Sequence, residues 1–86
     1  MSMIPAEVRA VFNVAEGENP ADFTVVAGSY DYNEFDELME YPDYISGPMT
    51  WEEAMAELPR HYSHQFSYIE RGDARMGPVE AKRFLA

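Results

Sequence analysis

The fold class this sequence predicts is α+β: a small antiparallel sheet of about three strands with two or three short helices packed on one side. Three observations lead there. Segments 7–15, 23–30 and 61–70 carry alternating, β-branched or aromatic residues, as half-buried strands do. Helix-start signals stand between and after them: Asn33, a T-x-x-E box at Thr50 and Glu53, and Pro78. Finally, 86 residues with 47% apolar and 14% aromatic content suffice for one hydrophobic core and leave no room for a second, so residues 1–86 are read as a single domain.

Along the chain, Val8, Ala10, Phe12 and Val14 fall on one face of the first expected strand, with Arg9 and Asn13 on the other. The polar run 16–22 is a loop punctuated by Gly17, Asn19 and Pro20. The second strand, 23–30, should hairpin onto the first, and Gly28 within it marks a bulge or a close backbone approach. Asn33 then caps a short helix over 34–40, with Phe35, Leu38 and Met39 as its apolar stripe and Pro42 as its stop. A loop leads to the helix that opens at the Thr50–Glu53 box, turns Trp51, Met55 and Leu58 to the core, and ends at Pro59. The third strand sets Phe66 and Tyr68 on one face, and 71–77 is a turn. Residues 78–86 read as a helix with Lys82 and Arg83 near its end, a strand being the competing reading.

The absence of cysteine excludes disulfides and thiolate metal sites and fits a reducing compartment. The first ten residues contain no basic n-region followed by an apolar run, and no stretch reaches the length of a membrane span. A soluble, cytoplasmic protein without a secretory leader is expected.

Charge is the unusual feature. The net charge is −10, but residues 1–59 hold thirteen acids against one base, Arg9, while 60–86 hold three acids against five bases. Residues 29–44 alone contain Asp31, Glu34, Asp36, Glu37, Glu40 and Asp43, four tyrosines and no base. On the expected helices Glu40 and Glu57 would stand in last turns, against the dipole, and Glu53 and Glu57 would be a like-charged i, i+4 pair. Glu34, Glu37 and Glu40 would recur every ~4.5 Å along the axis, near the ~3.4 Å charge spacing of one DNA strand.

Unpaired acids beside amphipathic tyrosines suit a surface that docks on lysines and arginines. The function expected is therefore a non-enzymatic inhibitor, a nucleic-acid-mimicking decoy that occupies the basic nucleic-acid-binding surface of an enzyme or effector complex. The candidate partner-binding residues are Asp31, Glu34, Asp36, Glu37, Glu40 and Asp43, then Glu52, Glu53 and Glu57, with Tyr32, Tyr41 and Tyr44 as anchors. In size and charge the chain resembles the small acidic proteins that phages use against restriction and CRISPR enzymes, a likeness of composition. The alternative is an antitoxin or small regulatory subunit docking on a basic protein.

Other readings are weaker. His61, His64, the serines and the carboxylates show no catalytic spacing, so neither an enzyme nor a cofactor is expected. His61 and His64, at i and i+3 on a strand, would face opposite ways and hold no metal. Asp31–Glu37 departs from a calcium loop at Phe35 and Asp36. The Arg71–Gly72–Asp73 match needs only a turn. Arg60, Arg71, Arg75, Lys82 and Arg83 could meet nucleic acid directly, but the acidic portion opposes it, as it opposes an anionic membrane. Anchoring against the chain's own acidic helices, or head-to-tail self-association, are the uses expected for them.

Overall fold

Four antiparallel strands in the spatial order β2-β1-β3-β4 form the spine of the molecule in the computed structural model, which describes residues 4–84. The elements are α1 (Ala6–Phe12), β1 (Thr24–Tyr32), β2 (Leu38–Ile45), α2 (Trp51–Glu57), β3 (Phe66–Arg71), β4 (Ala74–Met76) and α3 (Pro78–Ala81). Turns of 3₁₀ helix follow α2 (Leu58–His61) and α3 (Lys82–Phe84). This is the α+β class, with three short helices on one side of the sheet. Among the described residues no helix is long and apolar enough to cross a membrane.

The first expected strand is instead α1. Its alternation was compatible with both periods, because Val8 and Phe12 also stand at i and i+4. Ile4, Val8 and Phe12 are all buried, whereas Ala10, which a strand would also have turned inward, is exposed. Ala6 and Ala10 favour the helix intrinsically. It ends at Asn13 in the left-handed region (φ 55°), whose N–H reaches back to the Arg9 carbonyl.

The helix expected over 34–40 is also absent. Asn33 does cap, but it caps a turn: its Oδ1 accepts from the Phe35 N–H at 2.8 Å and the Glu37 N–H at 3.0 Å. Asp36 at φ 60° then reverses the chain. Leu38–Ile45, expected to be helix end and loop, returns as β2 alongside β1, from Tyr32↔Leu38 to Val26↔Ile45. A helix would have stacked Glu34, Glu37 and Glu40 on one face with Glu40 at its negative end; a hairpin avoids both penalties.

Pro42, expected as a helix stop, lies inside β2 at a bulge where the register shifts, so that Gly28 pairs with Pro42 and Asp43 is the extra residue. The bulge foreseen at Gly28 is thus present, on the partner strand. Gly28 is required there because a Cβ would lie 2.7 Å from Pro42 Cα and 2.9 Å from Phe66 Cζ, and would strike the Tyr41 carbonyl.

The helix at Trp51 forms as expected, with both halves of the Thr50–Glu53 capping box in place. The third strand is shorter than expected: 61–65 belong to the 3₁₀ turn and its exit, and β3 starts at Phe66. The expected turn at 71–77 contains β4, joined to β3 through Gly72 and Asp73. Gly72 (φ 59°) occupies the first position of that two-residue loop, which a II′ turn reserves for glycine. Helix is the outcome at 78–84; residues 85–86 of the expected 78–86 helix, like residues 1–3 of the N-terminal stretch, lie outside the described residues.

The core lies between the helices and the inner face of the sheet. Phe12, Phe23 and Trp51 meet at ring-centroid distances of 5.3–6.1 Å, and Val8, Val25, Leu58, Ile69 and Met76 surround them, nearly fully buried. The outer face carries a separate cluster, Val26, Phe66 and Tyr68, to which no helix residue belongs.

Pairing of β1 with β3 ends at Gly28↔Phe66, while its pairing with β2 continues to Tyr32↔Leu38. Residues 29–41 therefore project as a two-stranded arm. The molecule measures 47 × 22 × 22 Å, and its radius of gyration is 13.8 Å, above the ~12 Å of a compact domain of this length.

Candidate partner-binding surface

The arm and the bulge at its root gather the acidic stretch. Asp31 lies on β1, Glu34, Asp36 and Glu37 in the turn, and Glu40 and Asp43 on β2; all six are exposed. Of these six, only Glu40 has an ion-pair partner among the described residues, Arg75 at 3.3 Å. Glu37 accepts from Asn33 Nδ2 at 3.2 Å, which stiffens the turn. The helical row of Glu34, Glu37 and Glu40 does not exist, so its axial match to DNA disappears with it.

The other named acids lie on α2 and are occupied locally to differing degrees. Glu52 is exposed in the first turn. Glu53 serves the capping box, where the Thr50 backbone N–H and then its hydroxyl hold the carboxyl below its ordinary value. Glu57 accepts from His61 Nε2 and from the Tyr44 hydroxyl, each at 2.8 Å, and faces Arg60 at 3.6 Å.

The tyrosines divide in the same way. Tyr32 (64% exposed) and Tyr41 (45%) stand on opposite faces of the arm. Tyr44 is half-buried, its ring stacked on His61 at 4.1 Å, so it secures the base of the hairpin to the 3₁₀ turn. His61 and His64 are not on a strand with rings turned apart; the turn brings them to 5.7 Å. No group of three or more potential metal ligands forms among the described residues.

This cluster makes a testable prediction. The bond from His61, and next that from Tyr44, hold the Glu57 carboxyl below its ordinary 4.5, and the bond to Glu57 raises the Tyr44 hydroxyl above its ordinary 10.0. A carboxyl depressed in the folded state adds stability above its unfolded value and loses it as pH falls through the folded one. Glu57→Gln should therefore flatten the acid limb of thermal stability below about pH 4.5. Melts from about pH 6 to pH 3 check this, and an unchanged limb contradicts it.

The sequence reading missed the apolar residues exposed on the arm and on β2 below it. Phe35 (74% exposed), Ile45 (64%), Leu38 (58%) and Met39 (42%) lie open to solvent, although Phe35, Leu38 and Met39 carried the stripe of a core-facing helix. The available signal was the β-rich run Tyr41, Tyr44, Ile45 across Pro42, which suits a strand better than a loop.

The β1 edge of the arm is blocked against strand addition. The Tyr30 N–H donates to Gln65 Oε1 at 2.7 Å and the Tyr32 N–H to Asp31 Oδ1 at 2.8 Å. On β2 the interruption lies at the root of the arm, where Pro42 lacks a donor and the bulge at Asp43 breaks the ladder.

The bases are engaged within the molecule. Arg71 Nε binds Asp22 at 2.7 Å and its Nη1 the Phe12 carbonyl at 2.7 Å. Arg83 binds Glu7 at 3.1 Å, Arg9 reaches the Ala15 and Glu18 carbonyls, and Lys82 lies over Tyr62 at 4.8 Å. The basic end thus anchors within the molecule, but of its acidic partners only Glu57 stands on a helix expected to be acidic: Asp22 is in a loop, Glu40 on β2 and Glu7 on α1. Compared with known proteins, the chain matches no family model, no curated protein and no solved structure.

Proposed function

We propose that this chain is a non-enzymatic protein-binding inhibitor whose acidic arm occupies a Lys/Arg-rich nucleic-acid-binding surface of a target protein, as phage decoys of restriction or CRISPR enzymes do. One observation carries the reading. Asp31, Glu34, Asp36, Glu37 and Asp43 have no ion-pair partner among the described residues, while all six basic side chains are turned to contacts within the molecule. A projecting element with that field attracts lysines and arginines arranged for phosphates, and speeds encounter with them. Support comes from the density and sign of the charge, since the regular helical spacing is gone.

A second reading, an antitoxin or regulatory subunit on a basic protein without a nucleic-acid role, is favoured by Phe35, Leu38 and Ile45. These expose more apolar surface than a phosphate mimic needs, and such residues fit the core of a protein–protein interface.

Capture on the immobilised chain from a lysate of the source or host cell, followed by purification of the retained protein, provides the material to separate them. The purified target is titrated with labelled DNA or RNA in the presence and absence of the chain. Competitive displacement is expected; nucleic acid and chain bound together on one target would exclude the decoy and leave the second reading.

A further inference from the structure

The outer face of the sheet carries a column of planar groups that is closed at one end and open at the other. At the closed end the Arg75 guanidinium lies 4.2 Å from the Tyr68 ring centroid while its Nη1 meets Glu40 at 3.3 Å. Tyr68 stacks on Phe66 at 5.9 Å and 18°, and Phe66 meets Tyr30 at 5.2 Å and 46°. Tyr32 follows two residues later on the same face of β1, since alternate strand residues share a face and the bulge lies on β2. Tyr30 is 40% and Tyr32 64% exposed.

The two ends have the same ingredients, tyrosine faces and carboxylates. At the open end Glu40 is the cross-strand partner of Tyr30, and Tyr32 leads into the turn that carries the exposed acids Glu34, Asp36 and Glu37. Among the described residues no cation lies over the Tyr30 or Tyr32 ring.

We propose that the Tyr30–Tyr32 end of this column seats an arginine of the partner, and that the arm thereby selects arginine over lysine. The proposal rests on the reading of the arm as a surface for a basic protein. Charge complementarity sets the sign of the occupant, and Arg75 at the closed end illustrates the mode. A guanidinium is planar and weakly hydrated, so it stacks on a ring while its edge still donates to a carboxylate; a lysine ammonium is compact and strongly hydrated. A second copy of this chain is the wrong occupant, because it carries a net charge of −10 and its bases are already engaged. On the β1 edge, where Tyr30 and Tyr32 stand, an added strand is opposed because both N–H groups are engaged, which leaves their side chains to make the contact.

The test is calorimetric titration of the full chain with end-capped octa-arginine and octa-lysine peptides at matched ionic strength. It is repeated on a Tyr30→Val/Tyr32→Val variant whose fold is checked by circular dichroism. Tyr32→Val alone carries the comparison if the double variant does not fold, because the Tyr32 ring is largely exposed. The arginine peptide should bind roughly two- to five-fold more tightly for each tyrosine engaged, and this preference should shrink at least about two-fold in Tyr32→Val. Equal affinities, or a preference untouched by the substitutions, would overturn the arginine seat and leave the acidic-arm reading standing. Binding of neither peptide would overturn both.

Discussion

Gly28→Ala should lower the stability of this protein by about 3 kcal/mol, the upper end of what forcing extra atoms into a packed site usually costs. For a chain of this size that corresponds to a fall in melting temperature of roughly 12–24 °C. The added methyl would meet the Tyr41 carbonyl, Pro42 Cα at 2.7 Å and Phe66 Cζ at 2.9 Å. Two of these are backbone atoms of β2 and cannot rotate aside, so relief requires parting the strands where the arm joins the sheet. Gly47→Ala is the control: nothing lies within 4 Å of its Cβ position and its φ is ordinary, so its melting temperature should stay close to the wild type's. A Gly28→Ala melt within about 3 °C of the wild type would show that the hairpin yields at little cost.

The second large effect is kinetic. Glu34→Gln, Glu37→Gln and Asp43→Asn combined should slow association with the captured target about ten-fold or more at low ionic strength, since steering by a concentrated field accounts for factors of that order. Glu40 is left in place because it holds Arg75, and its removal would release a cation onto the same face. Glu37→Gln keeps an oxygen for Asn33 Nδ2, so the turn should persist. Stopped-flow mixing at two salt concentrations reads the effect: the wild-type rate should fall steeply with salt and the variant rate only slightly. Equal rates and equal salt slopes would remove electrostatic steering from the account.

The failed helix over 34–40 shows how local signals can be misread. Asn33 was identified as a capping residue, and it caps, but an Asx turn and a helix start use the same side-chain oxygen on neighbouring N–H groups. On a helix Glu34, Glu37 and Glu40 form the charged row that suggests a phosphate mimic, but the same row is a set of like charges with an acid at the helix's negative end. They argue equally against the helix itself, and the chain resolves them by pairing with β1 instead. Phe35, Leu38 and Met39 thereby pass from expected core to exposed surface. The acids of residues 31–43 and Tyr32 remain on the surface in either conformation, because a carboxylate with no base near it in sequence stays in water.

By itself the sequence determined what is local: the α+β class, the Thr50–Glu53 capping box and its helix, the bulge signalled by Gly28, and an acidic run with no neighbouring cation. These depend on groups within a few residues of one another, whose geometry the backbone dictates. Tertiary structure decided the rest. Whether Val8 and Phe12 belong to a helix or a strand depends on which face meets Phe23 and Trp51. Whether 38–45 is a strand depends on β1 offering an edge. Which acids are neutralised depends on Arg75, Arg71 and Arg83 reaching Glu40, Asp22 and Glu7 across 35, 49 and 76 residues of chain. Such contacts leave no periodic trace, because the distance that sets a Coulomb energy is measured through space and not along the chain.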